Sequence, residues 1–427
     1  MGKTYSVIVE LQGQQATKYS PEFQTGSTFA KGWKATLTKA HRGGKVSCTC
    51  PGKGGKLLAV RHYDSDSFCL ARYPLTGGEH SNDCRFYAPD PEKSGMSGYQ
   101  KGVIEEGPNG TIKIRLEIGL KKREPTAQDV PPAPAPAAPA VGRNSKPAMR
   151  LLGLLNYLWD EADLNSWWPA MKGKRELGRV NLWLDDVASH ISAAKVKLNS
   201  VLLLADYKSD GPWATNNRQR VGAAQKAKTR LLAIVPLATH SPDREKEMAS
   251  SLKIAGYHGI PILDMHPGLW GRTCNRFPRA IAAWQQNQRV MAIAELDLKK
   301  DGKYANVVDI ALMPVTANWI PFDSMFELLI ADKLTSEERG FLKPLRFDAE
   351  EDVVFPDFIL RDTGDDIPLE VFGRTDEAYE ARKALKMAYY QKEFGTDRWW
   401  YWDATQDPGA ETLKPFPEAR RKLRDQS

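Results

Sequence analysis

Alternation of apolar and polar residues dominates the first 123 residues of the chain. Gly and Pro divide this stretch into short segments, among them 57–63, 68–72 and 111–118. A period of two places every second side chain on the same face, which is typical of a strand with one buried face. We therefore predict a small β-rich domain over residues 1–123.

Longer and more continuous apolar runs replace this alternation after residue 147. Residues 148–159 are apolar at helical spacing, whereas 201–205 and 231–235 are short, wholly apolar runs of the kind found in strands buried on both faces. We interpret this region, residues 148–314, as a central α/β domain of ordinary size.

A stretch rich in Pro and Ala, residues 124–147, lies between these two domains. Pro-rich sequence of this kind is typical of an extended, semi-rigid spacer. A chain of 427 residues is long enough for about three domains. We therefore expect a multidomain α/β protein whose first domain is connected to the rest by a linker.

The last quarter of the chain shows a regular order of patterns: a helix, two strands, a second helix and a further strand. The predicted segments are, in order, 322–329, 353–360, 367–372, 375–392 and 398–402. Asp323 or Ser324 can cap the first helix, and a Gly-containing turn joins the two strands as a hairpin. We assign this order to an α/β domain over residues 315–410, followed by a basic tail, residues 411–427.

Two acidic residues stand at the ends of strand-like runs in this last domain. Asp357 follows Pro356, and Glu370 lies beyond the turn of the predicted hairpin. Neighbouring antiparallel strands would bring both carboxylates within reach of one hard cation, such as Mg²⁺ or Mn²⁺, which takes oxygen ligands. A cation bound there would activate water and offset the charge that develops on phosphate during phosphodiester hydrolysis.

The pair Pro356-Asp357 with Glu370-Val371-Phe372, within this order of elements, resembles the PD-(D/E)XK nuclease superfamily. The resemblance implies a restriction-endonuclease-like domain in which Asp357 and Glu370 bind the cation and Glu327, on the preceding helix, is a third acid. The sequence departs from the superfamily at Phe372, which stands where a lysine is usual. A phenyl ring can neither orient water nor stabilise negative charge.

A lysine from the following helix can replace the missing one, as in some members of that superfamily. At about 100° per residue, the helix has an apolar face made of Ala378, Ala381, Leu385 and Ala388. Lys386 flanks that face and Lys383 points roughly opposite. Lys386 is therefore the preferred catalytic lysine and Lys383 the second choice. The alternative interpretation is that both lysines belong to a solvated helix surface.

Four of the five cysteines lie within residues 48–84, close to two histidines. Residues two apart on a strand share a face, as do residues four apart on a helix. The four side chains that can then form a tetrahedral structural zinc site are Cys48, Cys50, His80 and Cys84. Cys69 could replace one of them, and His62 is a weaker substitute. The alternative is a set of reduced, buried thiols.

The positive charge of the chain is unevenly distributed. Lys and Arg number 60 against 53 Asp and Glu, a formal net charge of +7, with basic clusters at 121–123, 218–230 and 420–424. Such clusters suit nucleic acid, most simply DNA, although solvated helix surfaces have the same composition. No apolar run approaches the roughly 18 residues of a membrane span. Because the amino terminus also lacks a signal core, we expect a cytoplasmic protein.

Short sequence segments spread over nearly the full length of the chain resemble one bacterial family. That family is catalogued only as a domain of unknown function and is found on conjugative and other mobile elements. The segments lie at 48–51 with His80 and Cys84, and at 152–159, 267–270 and 343–348. The resemblance implies a setting near mobile DNA but no activity. Our leading hypothesis is a metal-dependent DNA nuclease or DNA-processing protein. The alternatives are a non-catalytic DNA-binding or regulatory protein with a degenerate nuclease fold, and a protein-interaction module.

Overall fold

The computed structural model describes residues 3–11, 13–62, 68–73, 76–81, 83–87, 103–106, 111–120, 148–345 and 355–420. The predicted linker, 124–147, and the end of the predicted basic tail, 421–427, lie outside these ranges. Within the described ranges, helices and strands form a mixed α/β protein with four sheets. No helix in this part of the chain is both long and apolar enough to cross a membrane.

The helices and strands have the following bounds. The helices are α1 (Pro21–Thr25), α2 (Ala30–His41), α3 (Leu151–Glu161), α4 (Leu177–His190), α5 (Pro212–Ala227), α6 (Pro242–Glu247), α7 (Leu269–Arg276), α8 (Pro278–Gln285), α9 (Met325–Ser336) and α10 (Glu377–Phe394). The strands are β1 (Val7–Glu10), β2 (Thr17–Tyr19), β3 (Lys45–Cys48), β4 (Leu57–His62), β5 (Phe68–Arg72), β6 (Ile104–Glu106), β7 (Ile112–Ile114), β8 (Ser166–Trp167), β9 (Ile191–Ala193), β10 (Val196–Lys197), β11 (Leu202–Leu204), β12 (Leu231–Pro236), β13 (Ile262–Met265), β14 (Arg289–Leu298), β15 (Tyr304–Val315), β16 (Phe341–Leu342), β17 (Phe358–Leu360), β18 (Ile367–Phe372) and β19 (Trp400–Asp403).

The first sheet is antiparallel, with the strand order β2-β1-β3-β4-β5. Alternate residues of its strands face a small core, as Val7 and Val9 do in β1, and α2 packs against β4 and β5. Cys48, Cys50 and Cys84 belong to the same core. Cysteines, which can bind metal, therefore occupy core positions that additional aliphatic side chains would fill in a larger domain.

The second sheet, in the order β10-β9-β7-β6, contains strands from both sides of residues 124–147. β7 pairs in parallel with β9, so that Ile112 and Ile114 join the core of the central region. That core also surrounds the third sheet, β11-β12-β14-β15-β13, and the apolar helix α3. The wholly apolar run predicted as a buried strand at 231–235 corresponds to β12, in which every residue is buried.

The fourth sheet has the order β19-β18-β17-β16-β8 and belongs to the last part of the chain, except for β8. β17 and β18 form the antiparallel hairpin, and β19 adds in parallel to β18. Its core includes Trp167 of β8 together with Phe341 and Phe358. The order of α9, hairpin, α10 and β19 along the chain follows the order of segments in the sequence pattern.

One buried ion pair, one partly exposed ion pair and a hydrogen bond hold the first sheet against the rest of the protein. Arg61 of β4 contacts Glu161 of α3 with 2.9 Å between Nη2 and Oε2, and Arg72 of β5 contacts Asp160. The Tyr87 hydroxyl donates to the Asp366 carboxylate in the turn of the β17–β18 hairpin. Because the Arg61 and Glu161 side chains are almost fully buried, removal of one partner would leave an uncompensated charge.

Candidate active site and metal centre

Asp357 and Glu370 lie on neighbouring strands of the fourth sheet. Asp357 immediately precedes β17, and its backbone N–H donates to the Leu369 carbonyl across the hairpin. Its carboxylate Oδ2 accepts a hydrogen bond of 2.7 Å from the backbone N–H of Val371. Glu370 is in β18 and only 1% exposed. The hairpin register therefore brings the two acids to the same region of the sheet.

The Glu370 carboxylate contacts two side chains of helix α10. Lys386 Nζ lies 2.9 Å from Oε2 and 3.1 Å from Oε1, and it also donates to the Phe355 carbonyl at 3.1 Å. The Tyr390 hydroxyl donates to Oε1 at 2.7 Å. Residues four apart on a helix share a face. One face of α10 thus supplies an ammonium group and a hydroxyl to the same buried carboxylate.

Lys383 lies on a neighbouring part of α10 and contacts a different acid. Its Nζ is 2.7 Å from Asp403 Oδ2 and 5.5 Å from the centre of the Phe372 ring. Phe372 itself is buried in the sheet. The structure therefore places Lys386, and not Lys383, in direct contact with Glu370.

The face that α10 presents to the sheet differs from the apolar face expected from its sequence. Ala381 and Ala388 are exposed, and Leu385 is 70% exposed. Lys386 and Tyr390 face the sheet instead, because the buried Glu370 requires polar partners, whereas an exposed Leu is tolerated. The prediction that the Ala and Leu residues pack inward was wrong for these three positions.

Glu327 is held at the start of α9 by a reciprocal cap. Its backbone N–H donates to Ser324 Oγ at 3.1 Å, and its carboxylate Oε2 accepts from the backbone N–H of Asp323 at 3.0 Å. Lys343, which follows β16, lies with Nζ 2.7 Å from Glu327 Oε2 and 3.2 Å from Asp323 Oδ2. Glu327 therefore has a cation of the protein itself as a close partner.

Burial perturbs the protonation of these carboxyl groups. It raises the pKa of Asp357 to about 7, with a further increase from the nearby charge of Glu370. Burial also raises the pKa of Glu327 to about 7, against the opposing effect of Lys343. The pKa of Glu370 is raised by burial and lowered in part by Lys386. A bound cation would displace these protons, as expected when carboxylates act as metal ligands.

The oxygen atoms of Asp357 and Glu370 are chemically suited to Mg²⁺ or Mn²⁺. Mg²⁺ in proteins usually keeps several waters and takes one or two carboxylates, with substrate phosphates completing its shell. Glu370 in β18 and Asp357, directly before β17, both have raised pKa values and match that requirement. Glu370 and Glu327 each contact a lysine, but Glu370 lies across the hairpin from Asp357, whereas Glu327 is on helix α9, so Asp357 and Glu370 are the candidate ligand pair.

The cysteine cluster is the second candidate site. The ligand atoms of Cys48, Cys50, His80 and Cys84 all lie within 4.8 Å of one another, and all four residues are buried. In the part of the chain that the structure describes, this is the one group of three or more Cys, His, Asp or Glu side chains whose ligand atoms converge so closely. A Cys₃His set at this separation could bind a metal such as zinc.

Tight turns, and not a helix, bring His80 and Cys84 together. The short 3₁₀ turn Gly77–Glu79 ends at His80, and Cys84 pairs as an isolated bridge with Lys3. Our prediction that these two ligands share a helical face was wrong in this respect. Gly52 passes so close to this turn that a Cβ there would lie 2.1 Å from the Glu79 carbonyl oxygen. The loop after Cys50 therefore requires glycine.

A hydrogen bond between sulfurs links two of the thiols in the cluster. Cys48 Sγ and Cys84 Sγ are 3.8 Å apart, and their hydrogen bond lowers the pKa of Cys48 to about 4 while raising the pKa of Cys84. Backbone N–H groups of Ser81 and Phe86 donate to the sulfurs of Cys50 and Cys84. Donors of this kind favour thiolate, which is the form that binds metal. Cys69 and His62 lie outside the set.

The carboxylate centre comprises Asp357, Glu370 and Glu327 with the side chains that contact them. Two of those contacting residues, Lys343 and Tyr390, carried no assigned role in the sequence interpretation. Tyr390 lies four residues after Lys386, so its position on the same helical face is a usable signal once Lys386 is placed. Lys343 is 2% exposed and follows the apolar pair Phe341-Leu342. A lysine directly after a short buried strand gives little indication of its partner before the fold is known.

Comparison with known proteins gives a family but no activity. The model of the family described as "Protein of unknown function (DUF1173)" matches residues 22–405, so the chain belongs to that family. No curated protein matches the chain. No solved structure matches it either.

Proposed function

We propose that this member of a family without a described activity is a metal-dependent DNA nuclease or DNA-processing enzyme of a mobile genetic element. The observation that carries the proposal is the contact of Lys386 with both oxygens of Glu370, beside Asp357. Two acids on a hairpin and a lysine from the helix that packs beside them are the groups required to bind a cation and a phosphodiester together.

Asp357 and Glu370 would hold the divalent cation in this proposal. When bound, a divalent cation lowers the pKa of water and offsets charge on the phosphate. Lys386, anchored by Glu370 and by the Phe355 carbonyl, would orient the attacking water and stabilise the additional negative charge on the phosphate oxygens. Its side chain remains 24% exposed, so a substrate can reach it from solvent.

Tyr390 would position Glu370 without contacting the substrate. Its hydroxyl, buried with the rest of the side chain, donates to Oε1 and leaves the orientation of the carboxylate fixed. Phe372, at the position where the resemblance expects a lysine, packs in the core and takes no part in this chemistry. Lys386 from α10 therefore replaces that lysine in our proposal.

Exposed basic residues support a nucleic acid as the substrate. In the basic segment 218–230, Arg218, Lys226 and Lys228 are exposed, whereas Arg220 and Arg230 form ion pairs with Asp185 and Glu295. Exposed cations gain affinity for DNA by displacing its counterions. In this proposal the cysteine cluster binds a structural zinc ion, and the exposed lysines of α2 add positive charge to the surface beside the first sheet.

Cleavage of DNA by matched variants tests the proposal. We expect Mg²⁺- or Mn²⁺-dependent cutting of single-stranded, nicked or supercoiled DNA by the wild type, and loss of cutting in Glu370→Gln with DNA affinity retained. Glu337→Gln, a change at a partly exposed glutamate paired with Lys333 at the end of α9, is the control. Absence of cleavage together with retained DNA binding would instead support a non-catalytic DNA-binding protein that uses this fold as a scaffold.

A further inference from the structure

Lys343 is a charged side chain in a nearly solvent-free position. Lys343 is 2% exposed. Asn165 holds its backbone through two hydrogen bonds: the Lys343 N–H donates to the Asn165 carbonyl, and Asn165 Nδ2 donates to the Lys343 carbonyl. A buried ammonium group is tolerated only where it is paired. Lys343 satisfies this requirement through Glu327 and, at the solvent edge, Asp323.

The pairing with Lys343 engages the carboxylate of Glu327. Its Oε2 accepts hydrogen bonds from both Lys343 Nζ and the Asp323 N–H. Although burial opposes protonation of Lys343, the carboxylates of Glu327, Asp323 and Asp357 raise its pKa above the usual value. The ammonium group is therefore a permanent charge that influences both Glu327 and Asp357.

The charges of the centre can be counted, with Asp323 left out because its side chain is 65% exposed. Glu327, Glu370 and Lys343 are buried, whereas Asp357 and Lys386 are partly exposed. The three acids carry three negative charges when ionised, and Lys343 and Lys386 carry two positive ones. One net negative charge remains. One divalent cation and one singly charged phosphodiester bring the total to zero, whereas a second divalent cation would leave two uncompensated positive charges in a buried site.

We propose that Lys343 takes the place of a second metal ion beside Glu327, so that the centre binds a single divalent cation, held by Asp357 and Glu370. This inference rests on the proposed function, since it concerns the same cation. Lys343 is a positioning residue in this scheme because it acts through Glu327 and does not touch the substrate. Glu327 contributes as its counter-charge and is not a metal ligand.

Counting bound Mn²⁺ in the zinc-loaded, full-length protein tests the inference without any measurement of activity. Free Mn²⁺ is followed by electron paramagnetic resonance during titration, and Glu327→Gln/Glu370→Gln, which changes the acids of both possible cation positions, serves as the blank for all other sites. We expect the wild type to bind one Mn²⁺ more than this double variant. A difference of two would overturn the single-cation inference while leaving the proposed cation centre intact. A difference of zero would overturn the proposed function itself, and the inference with it.

A pair of variants then tests Lys343 directly. Lys343→Met keeps the length of the buried side chain but removes its charge, so we expect a second Mn²⁺ to bind beside Glu327 and the count to rise from one to two. The count should return to one in Lys343→Met/Glu327→Gln. An unchanged count in a folded Lys343→Met protein would overturn the role of Lys343. If circular dichroism shows that this variant does not fold, the Mn²⁺ count of the wild type still tests whether the centre binds a single cation.

Discussion

The cysteine cluster and the carboxylate centre both bury charged or ionisable groups, but they compensate them differently. In the cluster, the four ligand atoms converge within 4.8 Å, and Cys48 and Cys84 are hydrogen-bonded through their sulfurs. In the carboxylate centre, Glu370 and Glu327 each have a lysine of the protein as a close partner. The first arrangement is typical of a closed structural site that needs its metal to fold. The second can fold before any metal binds, and can therefore exchange it.

The largest expected effect is on the cluster. Removing zinc with a chelator should unfold the first sheet, because structural zinc contributes on the order of 10 kcal/mol to folding in small domains. The fourth sheet should keep its structure, since its core contains Trp167, Phe341 and Phe358 and no cysteine. Limited proteolysis followed by mass spectrometry would distinguish early cleavage within residues 13–62 from cleavage within residues 355–420.

Cysteine substitutions provide the controls for that experiment. Cys84→Ser should reproduce the effect of the chelator and lower the zinc content, whereas Cys69→Ser and Cys274→Ser should leave both unchanged, because these two residues lie outside the converging group. Equal zinc content in Cys84→Ser and the wild type would contradict the assignment of the cluster as a metal site.

Two lysines three residues apart on α10 sharpen the comparison within the carboxylate centre. Lys386→Met should lower the rate of DNA cleavage by roughly 10²–10³-fold, the usual effect of removing a group that stabilises transition-state charge. Lys383→Met should change it less than about threefold, because Lys383 pairs with Asp403 and does not contact Glu370. Single-turnover rates with saturating protein measure the difference. Similar losses of cleavage rate in both variants would contradict the distinction between Lys386 and Lys383 that their contacts predict.

The structural pattern in the last part of the chain was largely predictable, because it depends on local signals. Ser324 caps α9, and Gly364 has a positive φ of 97° in the turn between β17 and β18. A Pro-Asp pair and a Glu at the ends of apolar runs also indicated where acids would lie. These features require only residues close to one another in the chain.

The partners of the acids were not predictable in the same way. Lys343 is 16 residues from Glu327, and Lys386 is 16 residues from Glu370. Whether a helical lysine faces solvent or a sheet depends on what the sheet buries. The exposure of Leu385 shows the limit of the apolar-face argument, since the buried carboxylate of Glu370 determines the orientation of α10 more than its aliphatic residues do.

A smaller effect is expected from Tyr390→Phe. The variant removes the hydrogen bond to Glu370 Oε1 but keeps the ring, which stacks on Trp399 with 5.2 Å between the ring centres. Groups that orient a metal ligand typically change metal affinity by about 10- to 100-fold, and Lys386 still holds Glu370 in this case, so we expect the lower end of that range. Calorimetric titration with Mn²⁺ measures it. Tyr389→Phe, a change at the adjacent and less buried ring, is the matched control.

A pH dependence also separates the two regions in the protein without Mg²⁺ or Mn²⁺. Burial raises the pKa of Asp357 from 3.8 to about 7, so between these values the folded protein binds more protons than the unfolded chain. The contribution of Asp357 to the free energy of unfolding is therefore full below about pH 4 and falls as the pH rises towards 7, by up to about 1.4 kcal/mol per pH unit for one proton. Saturating Mn²⁺ should displace the proton and flatten this slope, as should Asp357→Asn.

Urea denaturation monitored by tryptophan fluorescence at several pH values, with zinc retained throughout, measures the slope. A steep slope that persists in Asp357→Asn would show that another group is responsible, and Glu327, whose pKa is also raised to about 7, would be the next residue to substitute.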